Sequence, residues 1–172
     1  MRNLATLLML VVLAGATQPT ERVGNYPALT FSRDPQLRGV REEVKIGLLD
    51  YDAKTKRSTI WAQHSSKSRN GMVITRWTES RTCPALIESM QNLRSLEMPR
   101  PDPPGIPALA SEITVDGVSY NLEGYGAFGA ASARYALSSN LGTPLALWID
   151  ATLENLQPCW VNLKPTSRPS PA

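Results

Sequence analysis

Apolar positions in this chain follow two spacings, and the alternation between them gives the outline of the fold. In Val44-Lys45-Ile46-Gly47-Leu48-Leu49 every second residue is apolar until Leu49 breaks the pattern, as expected of a half-buried strand. Ser58 to Gln63, with Ile60 and Trp61, predicts a second strand after the polar turn Asp52 to Arg57. Met72 to Thr78 predicts a third, introduced by Asn70-Gly71, the pair preferred in type I′ turns. The spacing then changes. Leu86, Ile87, Met90, Leu93 and Leu96 recur at helical intervals behind Thr82, a capping residue, and Pro84, suited to a first turn.

A second cycle follows the same order. Ile113-Thr114-Val115 and Val118-Ser119-Tyr120 flank Asp116-Gly117 and predict a hairpin. Residues 124–142, interrupted by Gly124, Gly126 and Gly129, have no clear period, although Arg134 to Ser138 fits a strand. Thr143 and Pro144 then open a helix with Leu145, Trp148, Ile149, Leu153 and Leu156 on one face, and Pro158 stops it. Ala28 to Phe31 adds a short edge strand within the turn-rich stretch 17–42. Strands followed by a helix, twice, predict an α+β fold: an antiparallel sheet built from hairpins, with two amphipathic helices packed on one face. The proline-rich run 99–107 can enter neither helix nor central strand and reads as a stiff internal connector.

The N-terminus has another character. A basic start at Arg2, an apolar run from Leu4 to Leu13 and the small-x-small site Ala14-Gly15-Ala16 form the pattern of a secretory signal peptide over residues 1–16. The run is shorter than the ~20 residues needed to span a bilayer, and no second long apolar stretch exists. The expectation is an exported chain, periplasmic or released, with one domain over 17–163, a disordered tail over 164–172 and no transmembrane segment after processing.

Export changes the meaning of the two cysteines. In an oxidising compartment an even count favours pairing, so Cys83 and Cys159 are expected to form a disulfide closing about 75 residues and contributing roughly 4 kcal/mol. Cys83 stands at a helix N-terminus, where redox thiols occur, but no Cys-x-x-Cys accompanies it.

The formal charge of +3 is too small an excess for a nucleic-acid-binding face, and the basic residues around Lys54, Lys56, Arg57, Lys67 and Arg69 lie in turn-like sequence. One histidine and two distant cysteines give no zinc spacing, and no cofactor is implied. No Gly-rich phosphate loop and no Gly-x-Ser-x-Gly occurs. His64, within the polar stretch Gln63 to Asn70, reads as an exposed residue at a strand end rather than a catalytic base. Glu42-Glu43 and Asp50/Asp52 read as solvated surface acids, and Trp61, Trp77, Trp148 and Trp160 mostly as core.

Asp116-Gly117-Val118-Ser119-Tyr120-Asn121-Leu122, followed by Ala131-Ser132-Ala133-Arg134-Tyr135, resembles a stretch of about twenty residues in the periplasmic C-type lysozyme inhibitors. Those are small exported, disulfide-containing antiparallel β-barrels. In them a hairpin of this form precedes a Ser-Gly-x-x-Tyr loop that enters the enzyme's cleft. The resemblance implies an inserted loop at 131–135 with Ser132, Arg134 and Tyr135 as binding residues. Ala133 replaces the loop glycine, Tyr135 lies one place closer to the serine, and two capped helices do not belong in that barrel. Like charge also opposes a basic target.

The expected function is therefore a non-enzymatic exported domain that binds a protein or another envelope component. The alternatives are an inhibitor of a cell-wall hydrolase and a hydrolase whose catalytic residues are dispersed along the chain.

Overall fold

A computed structural model describes residues 26–36, 39–99, 117–128 and 131–166. The signal-peptide segment, nearly all of the proline-rich connector and the first arm of the Asp116-Gly117 hairpin lie outside the described residues.

Among the described residues, six strands form one antiparallel sheet: β1 (Leu29–Pro35), β2 (Arg41–Asp52), β3 (Arg57–Lys67), β4 (Val73–Glu79), β5 (Val118–Phe128) and β6 (Ala131–Ser139). Their order across the sheet is β4-β3-β2-β1-β5-β6. Helix α1 (Pro84–Leu93) separates β4 from β5, and α2 (Pro144–Leu156) follows β6 before a short 3-10 turn over Gln157–Cys159. The fold is α+β, as the two spacings predict.

Period-2 alternation sorts each strand's side chains onto two faces. Phe31 lies opposite Val44 on one side and Leu122 on the other, and Leu29 lies opposite Ile46. Ala62 continues this row on β3. Together with Leu86, Ile149 and Leu156 from the helices, these residues form a single buried cluster. Helix α2 rests on this face: Trp148 meets Phe31 edge-on, ring centres 5.0 Å apart. The Trp148 indole N–H donates to the Ser89 carbonyl at 3.1 Å, tying α2 to α1.

The covalent tie is the Cys83–Cys159 disulfide, with Cα atoms 5.8 Å apart and a sequence separation of 76. It joins the start of α1 to the residue just beyond α2, the two ends the sequence places together.

Four local expectations are corrected. Ala28 to Phe31 belongs to a central strand, not an edge one: β1 is hydrogen-bonded to β2 on one side and β5 on the other, and Phe31 is 1% exposed. Asn70-Gly71 does not make a type I′ turn, because only Gly71 of the pair has positive φ (82°). The Asn70 side chain instead accepts from the Met72 amide at 3.2 Å, within a wider turn over residues 68–72. Thr82 does not cap α1, whose N-cap is Cys83 without a side-chain cap bond. Ile87, placed on the buried face of α1 by its spacing, is exposed. Thr143 does cap α2, accepting from the Ala146 amide at 3.2 Å.

Within 124–142, where no period is readable, residues 124–128 form the end of β5 and 131–139 the whole of β6, paired from Tyr120↔Ser139 to Phe128↔Ala131. The break at Leu49 is a bulge, where the β2–β3 register shifts between Leu48 and Asp50. Beyond the 3-10 turn the chain returns to β4. Val161 bridges Trp77 through two backbone hydrogen bonds. Lys164 lies over the Trp77 ring of β4 at 5.3 Å, and the Thr166 carbonyl accepts from Arg81 in the turn that follows β4, so these first tail residues have partners in the domain.

Candidate functional site

On the core-facing side of the sheet the apolar rows stop short of the strand ends, and ionisable residues continue them. Two places beyond Phe31 comes Arg33, two before Val44 comes Glu42, and two beyond Ala62 comes His64. Pairing places Arg33 opposite Glu42 and Val44 opposite His64, bringing residues from three strands together. Tyr120 of β5 lies opposite Arg33, and α2 contributes Asp150 from above.

These side chains form one connected network. Arg33 donates through Nε (3.0 Å) and Nη2 to Glu42 Oε2, and through Nη1 to Asp150 Oδ1 at 3.1 Å. The Tyr120 hydroxyl donates to Asp150 Oδ2 at 3.0 Å. His64 Nε2 lies 3.3 Å from Glu42 Oε1. The other side of the imidazole is stacked on Trp160, ring centres 5.1 Å apart. The disulfide at the neighbouring Cys159 anchors that tryptophan in sequence. Every carboxylate oxygen of the network thus has a partner inside the protein.

The electrostatics follow from these contacts. The hydrogen bond from His64 and the Arg33 guanidinium outweigh partial burial and hold the Glu42 carboxyl below the usual range. Burial works against the charge on Arg33, but its bonds to Glu42 and Asp150 prevail and raise its pKa. Burial, with the Asp150 carboxylate beside it, pushes the Tyr120 phenol up.

The network floors a cleft of about 600 Å³. One wall is Ser66, Ile74 and Arg76 of β3 and β4; the opposite wall is Pro35, Val40 and Val118, with Gln157 above. Arg76 lies opposite His64 in the β3–β4 register.

His64 is therefore not an exposed strand-end residue. It lies inside an eleven-residue strand and is 8% exposed. Glu42 is likewise no solvated acid, its side chain being 18% exposed, whereas its neighbour Glu43 points to the other face and pairs with Lys45. Asp50 pairs with Arg81, which also holds Glu79, in a separate cluster. Trp61 and Trp148 are buried, as a core role requires.

Ser132, Arg134 and Tyr135 lie on β6, away from this cleft. The segment 131–135 is a paired strand rather than a loop. Alternation separates the three residues: Ser132 and Arg134 share one face, where Arg134 meets Glu123 of β5 at 2.7 Å, while Tyr135 turns to the other and lies over Gly124.

Among the described residues, no group of three or more His, Cys, Asp or Glu could hold a metal ion, and no helix is long and apolar enough to cross a membrane. No protein-family model, curated protein or solved structure matches the chain.

The strand residues of the network (Arg33, Glu42, His64 and Tyr120) carry one sequence signal: each extends its strand's apolar alternation by a single step. What brings them together is strand register, and no motif encodes that.

Proposed function

We propose that this chain is an exported binding domain without catalytic machinery, and that its ligand is a component of the envelope or its surroundings that enters the cleft floored by Arg33, Glu42 and His64. The observation that carries this reading is a recess whose polar floor is bonded within the protein. Its ionisable groups are bonded to one another and held by β1, β2, β3, β5 and α2. Such pre-organisation suits recognition, because little order has to be imposed when a ligand arrives. The signal-like N-terminus and the Cys83–Cys159 bridge support an oxidising compartment.

A fragment screen read by amide chemical shifts tests this. Fragments that bind should move the resonances of Ser66, Arg76 and Val118 together. Hits scattered over the surface, or none, would overturn the reading. For export, the protein recovered from its producing cell should begin after Ala16 and weigh two hydrogens less than its reduced form.

The His64–Glu42 pair gives the hydrolase reading its one specific support, since a carboxylate-oriented imidazole is the base of many acyl-transfer sites. Against it, the Ser66 hydroxyl, two residues along the same face, makes no hydrogen bond to His64. Ester hydrolysis abolished by His64→Gln would favour the hydrolase. The inhibitor reading depends on an inserted loop where β6 has a paired strand; unchanged lysozyme turnover at stoichiometric protein would end it.

A further inference from the structure

Resting on the cleft as a binding site, the hydrogen-bonding capacity left over inside it points to a ligand class: we infer that the cleft takes an amphipathic oxyanion, a carboxylate or phosphate head on a short apolar body, with Arg76 as the residue that recognises the head.

The argument is an inventory of donors and acceptors. Glu42 Oε1 faces His64 and Oε2 accepts from Arg33. Asp150 Oδ1 accepts from Arg33 and Oδ2 from Tyr120. All four carboxylate oxygens at the floor are taken, so the acids have little left for a cationic ligand. Arg76 is the opposite case. It lines the cleft half-buried, and among the described residues its guanidinium has neither an acidic partner nor a hydrogen bond. Five N–H donors in a planar fork therefore face the recess uncommitted, a geometry that matches the two oxygens of a carboxylate or phosphate. The Ser66 hydroxyl and Gln157 amide can add donors nearby. Arg33, Arg81 and Arg134, by contrast, are each neutralised by a carboxylate.

The rest of the lining sets the body of the ligand. Ile74 stands beside Arg76 on the edge strand, and Val40, Pro35 and Val118 face it across the recess. A head bound at Arg76 would leave its tail against these apolar walls. The volume of about 600 Å³ admits a chain of several carbons.

Four probes sharing one tail decide the matter: octanoate, octyl phosphate, octanol and octylammonium, titrated at neutral pH by calorimetry and amide shifts. At least one of the two anions should bind ten times or more tighter than octanol, and octylammonium should be weakest. Which anion binds tighter distinguishes the carboxylate source from the phosphate. Arg76→Gln should cost that anion tenfold or more and leave octanol unchanged; Arg76→Lys should recover part of the loss; Arg134→Gln, far from the cleft, should change nothing. Melting temperatures within a few degrees of wild type would confirm that each variant folds. Octanol or octylammonium binding in the cleft as tightly as the anions would overturn the oxyanion assignment and leave the binding-domain reading intact. Failure of all four would overturn the assignment too, while the fragment screen separately decides whether the cleft binds anything.

Discussion

Glu42 sits between a histidine and an arginine, and both contacts favour its ionised form. Its carboxyl titrates lower in the folded chain than in the unfolded one. The stabilisation it provides is therefore complete above the ordinary carboxylate range and lost as pH falls through the depressed folded value. Denaturation midpoints measured from neutral pH downward should decline in acid, and Glu42→Gln should flatten part of that decline. Glu42→Ala, which strands His64 and Arg33, should cost about 2 kcal/mol, below the value for a fully buried pair because Arg33 is 37% exposed. Chemical denaturation measures that cost. The sequence hides this residue because adjacent acids look like surface. Yet alternation sends Glu42 and Glu43 to opposite faces, and counting back in twos from Ile46 through Val44 would have placed Glu42 on the buried side. His64 is obscured in the same way: polar neighbours on both sides mask its place two beyond Ala62.

The helices were legible because their signals are local. Proline at the first position and apolar spacing act within a few residues, and both α1 and α2 start at the proline the sequence marks. The caps differ, and this is measurable. Thr143→Ala removes the acceptor for the Ala146 amide and should cost about 1 kcal/mol, whereas Thr82→Ala should cost much less, since Thr82 caps nothing. Strands are legible in the sequence, but their order across the sheet is not. Nothing within Ala28 to Phe31 says that β5, some ninety residues later, will take its second edge. In β2, Gly47 lies opposite Trp61, and a Cβ there would stand 2.5 Å from the indole ring. Gly47→Ala should destabilise by about 1–3 kcal/mol and shift tryptophan emission, because the indole must move in a packed setting.

For the molecule as a whole, one covalent link constrains the two helices. Replacing Cys83 and Cys159 together with serine should lower the unfolding free energy by up to roughly 4 kcal/mol, read from denaturant midpoints. Trp160 follows Cys159 directly and stacks on His64, so the same variant should also disturb the floor of the cleft, visible in the imidazole proton shifts. Composition and cysteine parity made this bridge readable. The cleft was not, because it exists only once five elements share a register.

The strand order β4-β3-β2-β1-β5-β6 has a consequence for how the sheet can grow. Among the described strands, the first to leave the ribosome, β1, lies inside the sheet. Strands β2, β3 and β4 then extend one wing, each joining the edge its predecessor has just made, and β5 and β6 build the other wing from the side of β1 still open. Among the described strands, none has to be inserted between two that are already paired. A sheet of this order can be assembled by additions to a free edge, in the order in which the chain is made.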